Sequence, residues 1–233
     1  MRIGIIGAME VEVATLIGDL AHDEVTRHAG MEFHAGAIDG ADVVVVRSGV
    51  GKVSAALCAQ VLVDLFDVGA VVNTGVAGSL DARIDVGDVA VSTDAMYHDV
   101  DATVFGYAPG EVPQLGRASF PADEGLRAAA LRACAAAAPD VTAFEGRVVS
   151  GDQFIADAAA KRRIRETFGG MCCEMEGAAI AHACWANGVP FVIVRAISDK
   201  ADGSQQVDYP TFERKAARDC AAITRRMVTA ELA

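Results

Sequence analysis

The order of apolar and polar residues along the chain predicts strands and helices in alternation. Residues 2–7 form a short apolar run rich in isoleucine, which is typical of a buried strand. In residues 9–20, apolar side chains recur at positions 9, 13, 16, 17 and 20, a spacing that places them on one face of a helix. Residues 32–38 and 42–47 follow as strands, and Asp39-Gly40 between them is typical of a hairpin turn.

The rest of the chain continues this alternation. Strands are predicted at residues 70–73, 88–92, 96–104, 147–150, 171–174 and 190–198. Helices are predicted at residues 53–66, 123–138, 157–168, 176–187 and 209–232, the last with Asp208 as its N-cap and Pro210 in its first turn. Residues 74–78 are interpreted as a turn, and residues 107–122 as a loop whose length favours a role in function or in an interface.

The alternation indicates the fold class. Strands and helices that follow one another from end to end are typical of an α/β protein with a largely parallel sheet and helices on both faces. No linker-like stretch divides residues 1–233, so we expect a single domain. Hydrophobic residues make up 52% of the chain, which is enough for a sizeable core.

The net charge of −12 argues against two classes of binding partner. An acidic surface repels nucleic acid and anionic lipid, so we expect neither to bind, whereas a small neutral or cationic ligand meets no such barrier. No apolar run reaches the roughly 18 residues of a membrane span, and the N-terminus lacks the features of a signal peptide. We therefore expect a cytoplasmic location.

Cysteine and histidine spacings predict no metal centre. The six cysteines form no CxxC pair, and most lie in apolar stretches typical of reduced, buried thiols. The adjacent pair Cys172-Cys173 is a candidate for redox activity, but we interpret it as structural. The five histidines show no zinc-ligand spacing such as HExxH.

Three carboxylates at the ends of apolar runs are the clearest functional candidates. Glu12 follows the first strand, Glu176 follows a short apolar run, and Asp199 ends the run that begins at residue 190. Strand ends of an α/β protein open into the ligand crevice, where acids can protonate a leaving group, activate water and stabilise a cation. Periodicity does not choose between Glu10 and Glu12, or between Glu174 and Glu176.

Glycine-rich segments do not match the dinucleotide or phosphate motifs. Gly4-Ile5-Ile6-Gly7 lacks the GxGxxG spacing, and Gly49-Val50-Gly51-Lys52-Val53 lacks both the spacing and the hydroxyl residue of a phosphate loop. Together with Gly75-Val76-Ala77-Gly78, they are interpreted as turns in which backbone can approach a ligand closely.

Seven short motifs follow one another along the chain: Gly7-Ala8-Met9-Glu10-x-Glu12, Ser48-Gly49-x-Gly51-Lys52, Asn73-Thr74-Gly75-x-Ala77-Gly78, Tyr97-His98-Asp99-x-Asp101, Ser150-Gly151-Asp152-x-Phe154, Glu174-Met175-Glu176 and Arg195-x-Ile197-Ser198-Asp199. In this order they resemble the bacterial 5′-methylthioadenosine/S-adenosylhomocysteine nucleosidases, and the similarity extends from residue 1 to about residue 227. The ordered set is far more specific than any single motif.

The resemblance implies a fold and a reaction. The expected fold is a three-layer αβα sandwich with a central twisted mixed sheet, of the nucleoside phosphorylase type, assembled as a homodimer. The expected reaction is hydrolysis of the N-glycosidic bond of 5′-methylthioadenosine and S-adenosylhomocysteine, which releases adenine and needs no metal or organic cofactor. Some members also cleave 5′-deoxyadenosine or aminodeoxyfutalosine.

The same resemblance implies how the acids divide the chemistry. Asp199 would donate a proton to N7 of adenine, with Ser198 orienting it. Glu12 would hold and deprotonate the attacking water, supported by Arg195 and by backbone near Gly78. For its role Asp199 must hold a proton at neutral pH, and we expect burial and two neighbouring carboxylates to favour the protonated form.

Further residues would bind the nucleoside. By the resemblance, Glu176 accepts hydrogen bonds from the ribose hydroxyls and Met175 packs against the sugar. Phe154 would stack on adenine and the backbone of Ile155 would read the base edge, while Ala77 and Gly78 complete the wall of the nucleoside site.

By the resemblance, the 5′ substituent would lie in an apolar pocket formed by Met9, Val50 and Tyr209, together with Ala102, Phe105, Tyr107 and Pro113 from the partner subunit. Two positions depart from the family pattern. Val76 replaces a serine found in some relatives, and Tyr209 replaces a phenylalanine found in many. The ranking of 5′-substituted substrates therefore stays open.

Two other functions compete with this interpretation. A purine nucleoside phosphorylase of the same fold would need cationic residues for phosphate, whereas here the first strand leads into Ala8-Met9-Glu10 and Glu12 would repel the anion. A nucleoside-binding domain without activity could lose one acid without harm, so the presence of all three argues against it.

Overall fold

A computed structural model describes residues 1–200 and 209–232, with side chains from residue 214 onward in the second range. The predicted N-cap Asp208 and the side chain of Pro210 lie outside this described part. In it the strands are β1 (Ile3–Gly7), β2 (Ala21–His28), β3 (Met31–Ile38), β4 (Ala41–Arg47), β5 (Ala70–Ser79), β6 (Val89–Tyr97), β7 (Ser119–Pro121), β8 (Ala143–Ser150), β9 (Cys172–Glu174) and β10 (Phe191–Asp199).

The helices alternate with these strands. They are α1 (Glu10–Gly18), α2 (Lys52–Phe66), α3 (Glu124–Ala137), α4 (Ala158–Phe168), α5 (Gly177–Asn187) and α6 (Tyr209–Arg226). A 3₁₀ turn spans Thr103–Phe105, and α6 continues as a π-helical turn over Met227–Glu231. None of the described helices is long and apolar enough to cross a membrane.

The centre of the sheet is β5. It pairs in parallel with β1 and β10 and antiparallel with β9. From β10 the pairing continues through β6, β8 and β9 back to β5, so five strands close into a ring. On the other side of β5, the strands β1, β4, β3 and β2 extend the sheet outward. The ends of β1, β5 and β10 therefore lie side by side.

Two helical layers cover this mixed sheet. Helices α2 and α5 pack on one face, where Leu62 and Ile180 are fully buried. Helices α1, α3 and α6 pack on the other, where Leu16 and Ile223 are fully buried. The expected αβα sandwich with a mixed sheet is confirmed, and the sheet is less parallel than the alternation alone indicates.

Three strand predictions differ from the structure. Residues 74–78, interpreted as a turn, are the last part of β5, because the glycines continue an extended strand. The strands predicted at 88–92 and 96–104 overlap a single strand, β6, whose pairing with β8 shifts register between Ser92 and Asp94. Residues 98–104 lie beyond its end, and the 3₁₀ turn begins among them. Strand β2 was not predicted because all of its residues are exposed, so it shows no apolar alternation.

All six cysteines are buried and unpaired. This confirms the interpretation of the thiols as small core residues. Burial raises the pKa of the Cys173 thiol to about 12, and burial also raises the pKa of Cys172. Both thiols are therefore neutral at physiological pH.

Candidate active site

A cavity of about 200 Å³ opens where β1, β5 and β10 end and β9 leads into α5. Parallel strands present their carboxyl ends at one edge, and this edge of a doubly covered sheet is where ligands bind. Most of the site residues predicted from the sequence line the cavity, namely Met9, Glu12, Val50, Ala77, Gly78, Phe154, Ile155, Met175, Glu176, Ser198 and Asp199.

Glu12 is held by backbone amides. It lies in the first turn of α1 and is buried, whereas the side chain of Glu10 is exposed. Its Oε2 accepts hydrogen bonds from the N–H groups of Ala8 at 2.7 Å and Met9 at 2.9 Å, and its Oε1 accepts one from Val76 at 3.0 Å. These contacts fix the carboxylate at the cavity and decide between the two glutamates that periodicity left open.

Arg195 is the fully buried cation behind the cavity. Its Nη2 donates to Oδ1 of Asn73 at 2.7 Å and to the carboxylate of Glu174, and its Nη1 lies 4.0 Å from Oε1 of Glu12. Burial alone would lower the pKa of Arg195, but the carboxylates of Glu174, Glu176 and Glu12 raise it. The guanidinium therefore stays charged and anchors the acids around it.

Glu174 is saturated with hydrogen-bond donors from the protein. Its carboxylate accepts from the hydroxyl of Ser150, from Arg195, from the N–H of Glu176 at 3.1 Å and from the N–H of Gly177 at 2.8 and 3.0 Å. Because a carboxylate accepts about four hydrogen bonds, little capacity remains for a ligand. Glu174 therefore supports the wall of the site.

Glu176 keeps capacity for a ligand. Its Oε1 accepts a hydrogen bond from the N–H of Gly51 at 2.9 Å, and its Oε2 lies 3.6 Å from Nη2 of Arg195. Burial, followed by the negative charge of Glu174, raises the pKa of Glu176, although Arg195 and the Gly51 amide act in the opposite direction. Glu176 therefore lines the cavity, and its carboxyl group can still accept hydrogen bonds from a ligand.

Asp199 ends β10, and its neighbours differ from those expected. The Ser198 hydroxyl donates to Oδ1 of Asp199 at 3.2 Å, and Gly78 makes room for the carboxylate because a Cβ there would lie 2.9 Å from Oδ1. Among the residues that the structure describes, the charged group in contact with the carboxylate is the ammonium of Lys161, not a second carboxylate. Its environment is therefore that of an ion pair at the cavity wall.

Comparison with known proteins identifies the family. The phosphorylase superfamily matches residues 2–229. Over 230 residues, the chain is 44% identical to a 5′-methylthioadenosine/S-adenosylhomocysteine nucleosidase of Shewanella denitrificans. This alignment covers 98% of this chain and 99% of the relative. The chain belongs to these nucleosidases.

Two crystal structures of nucleosidases share the fold. One, from Colwellia psychrerythraea in complex with adenine, has a TM-score of 0.92 and 42% identity, with 98% of this chain and 94% of that chain covered. The other, from Neisseria meningitidis in complex with methylthio-immucillin-A, has a TM-score of 0.93 and 36% identity, with 98% and 99% covered. Both bind their ligands on a fold that this nucleosidase reproduces over nearly its whole length.

Several other described residues predicted for the nucleosidase site do not line this cavity. Ala102 is buried and Phe105 is 81% exposed, and neither lines it. Tyr107 is half-buried and Pro113 is exposed, in the segment that precedes β7. Tyr209 begins α6, and its side chain lies outside the described part of the structure.

Sequence reasoning missed several supports of this site. Lys161 lies in the helix predicted at residues 157–168, but nothing in its local pattern marks it as buried. The amide that supports Glu12 belongs to Val76, whereas Gly78 makes room for Asp199. Asn73 lies in one of the seven motifs, but its role as a partner of Arg195 depends on a contact between residues that are 122 positions apart in the sequence.

Proposed function

We propose that this cavity hydrolyses the N-glycosidic bond of 5′-methylthioadenosine and S-adenosylhomocysteine, releasing adenine and the 5′-substituted ribose. The observation that carries the proposal is that Glu12, Glu176 and Asp199 line one cavity in a chain of the nucleosidase family. Breaking such a bond requires a proton for the leaving base, stabilisation of a cation-like sugar and an activated water.

Asp199 supplies the proton to the base. Transfer of the proton from its carboxyl group to N7 of adenine allows the electron pair of the C1′–N9 bond to leave with a neutral base. Ser198 orients the carboxyl group through the hydrogen bond to Oδ1. Phe154 and Ile155 line the same cavity and hold the base, the first by stacking and the second through its backbone.

Glu12 holds the attacking water and takes its proton. Three amide hydrogen bonds occupy the carboxylate and leave it capacity for about one more donor. That donor is the water that attacks C1′. Because the side chain of Val76 has no hydroxyl group, the positioning of the water rests on Glu12.

The buried charges favour the cationic transition state. Three carboxylates, those of Glu12, Glu174 and Glu176, surround the single guanidinium of Arg195, so the cluster is negative overall. A fixed negative cluster stabilises positive charge that develops on the sugar. Glu176 also accepts hydrogen bonds from the ribose hydroxyls, and Met175 packs against the ring.

Phosphorolysis is disfavoured by the same charges. The two cations at or behind the cavity, Lys161 and Arg195, are both engaged with carboxylates. An incoming phosphate would have to displace one of these partners while approaching the negative charge of Glu12.

The experiment that tests the proposal measures adenine release from 5′-methylthioadenosine without phosphate. Asp199→Asn and Glu12→Gln should each lower kcat by about 10²–10⁴-fold, because each removes one proton transfer. Glu10→Gln is the matched control, since that exposed side chain should leave the rate unchanged. A phosphate requirement, or normal turnover by Asp199→Asn, would contradict the proposal.

The same assay defines the substrate range. It is run with S-adenosylhomocysteine, 5′-deoxyadenosine and aminodeoxyfutalosine beside 5′-methylthioadenosine, at equal enzyme concentration. The ratio of kcat/KM values ranks the 5′ substituents. Failure of the wild-type chain to release adenine from any of them would favour a binding domain without activity.

A further inference from the structure

Lys161 is a buried cation on a helix that otherwise buries Ile164. It lies in the first turns of α4, and its side chain is only 4% exposed, while its neighbours Arg162 and Arg163 face solvent. Its ammonium pairs with the carboxylate of Asp199 and donates to the carbonyl oxygen of Lys200 at 2.8 Å. Burying a lysine is costly unless the ammonium is paired, so this side chain depends on Asp199.

The ion pair opposes the role of Asp199 as a proton donor. A cation in contact with a carboxylate stabilises its ionised form, whereas donation requires the protonated form. Lys161 also lines the cavity itself, so the pair forms part of the wall that meets the base. After the proton has moved to N7, the carboxylate that remains is again the ion that Lys161 stabilises.

We propose that Lys161 is the positioning residue of the proton donor: its ammonium holds the Asp199 carboxyl group at the cavity wall and sets the upper limit of the pH range in which the enzyme acts. This inference rests on the proposed role of Asp199. Before each turnover Asp199 takes up one proton from solvent. That proton leaves with adenine as the C1′–N9 bond breaks, and Lys161 stabilises the carboxylate left behind.

Other groups around Asp199 do not supply this charge. On its own strand, Arg195 is engaged with Glu174. From β9, the Cys173 thiol is neutral because burial raises its pKa to about 12. From β5, Gly78 contributes no side chain. Within the described ranges, Lys161 from α4 is therefore the cation in contact with the carboxylate.

Three ion pairs lie beyond the Lys161 side chain. Asp81 pairs with Arg83 and Arg165, and Lys200 pairs with Asp85. Each of these three cations already has an acidic partner other than Asp199. Removing Lys161 should therefore change the charge beside Asp199 directly, with little compensation from its surroundings.

The test compares the pH dependence of kcat/KM for 5′-methylthioadenosine in the wild type, Lys161→Met and Lys161→Arg. Lys161→Met removes the positive charge that contacts the carboxylate, so the alkaline limb of its profile should move up by on the order of one pH unit. Lys161→Arg keeps the positive charge and should keep the limb near its wild-type position. Arg163→Met, which removes an exposed cation from the same helix, should leave the profile unchanged.

An unmoved alkaline limb in Lys161→Met would overturn the inference, as would equal shifts in Lys161→Met and Lys161→Arg. If Lys161→Met does not fold, Lys161→Gln replaces it, and the same two outcomes decide. Asp199→Asn separates this inference from the proposed function. If Asp199→Asn turns over normally, Asp199 is not the proton donor. If Asp199→Asn is inactive and the alkaline limb of Lys161→Met does not move, only the role of Lys161 is excluded.

Discussion

At the scale of single residues, Gly75 shows how an absent side chain makes the acid–base cluster possible. A Cβ at this position would lie 2.3 Å from Oε1 of Glu12 and 2.3 Å from Nη1 of Arg195. Its φ of +153° also lies in a range that favours glycine. Because both contacts are to buried, hydrogen-bonded side chains, neither can move away without losing its partners.

Gly75→Ala should therefore impair both activity and stability. We expect a fall in kcat of at least tenfold as Glu12 is displaced, and a loss of about 1–3 kcal/mol in the free energy of unfolding from overpacking. Adenine release and denaturant unfolding measure the two effects. Gly18→Ala is the matched control, because no atom lies within 4 Å of a Cβ there; a variant at Gly75 that behaves like it would contradict the argument.

The residues of the site could be predicted only in part, and contacts distant in sequence explain the difference. Glu10 and Glu12 are equivalent by periodicity, and the choice depends on Val76, which lies 64 positions further along the chain. Lys161 is buried because of Asp199, 38 positions away. Local patterns do not contain such information, whereas the acids at strand ends follow from the topology of an α/β sheet.

At the scale of elements, the junction of β1 and β4 forms an extension of the active site. The two strands end side by side, with Gly7 paired to Arg47. Beyond them lies a second cavity of about 360 Å³ that shares Met9 and Val50 with the first. On its wall Arg47 and Glu10 pair at 3.4 Å. A guanidinium beside a carboxylate is complementary to the carboxylate and ammonium of an amino acid.

Arg47→Met should therefore discriminate between the two substrates. Loss of a charge-assisted hydrogen bond to the amino-acid carboxylate, worth about 1.5–3 kcal/mol, should lower kcat/KM for S-adenosylhomocysteine by roughly tenfold or more. 5′-Methylthioadenosine has no such group and should be cleaved as before. The ratio of the two kcat/KM values is the measurement, with Arg27→Met, an exposed arginine of β2, as control. An unchanged ratio would exclude Arg47 from substrate recognition.

Elements were predicted well where burial determines the pattern and poorly where it does not. The strands β1 and β10 are almost wholly buried, β4 is buried over residues 43–46, and all three match continuous apolar runs. In contrast, the glycines of residues 74–78 favour a turn locally, yet pairing with β10 and β9 keeps β5 extended through them. Tertiary pairing here overrides the conformational preference of glycine.

At the scale of the whole molecule, an exposed apolar surface indicates where a second copy would bind. Val53 and Leu57 lie one helical turn apart on α2, and both are exposed. Val104 and Phe105, on the 3₁₀ turn, are more than 80% exposed. Single exposed apolar residues are common, but four large apolar side chains exposed on α2 and the 3₁₀ turn favour an interface. We expect a symmetric homodimer in which Phe105 reaches the partner's 5′ pocket.

Hybrid dimers test this arrangement. Phe105→Ala should raise KM for 5′-methylthioadenosine, because an apolar contact to the methylthio group is lost, while Asp199→Asn should be inactive. If Phe105 serves the partner subunit, co-expressing the two variants should give hybrids that contain one complete site, and turnover with the wild-type KM should reappear. Replacing Asp199→Asn by the double variant Asp199→Asn/Phe105→Ala removes the only intact Phe105 and should abolish this recovery. Recovery with the double variant as well, or none with either, would show that Phe105 does not act across the interface.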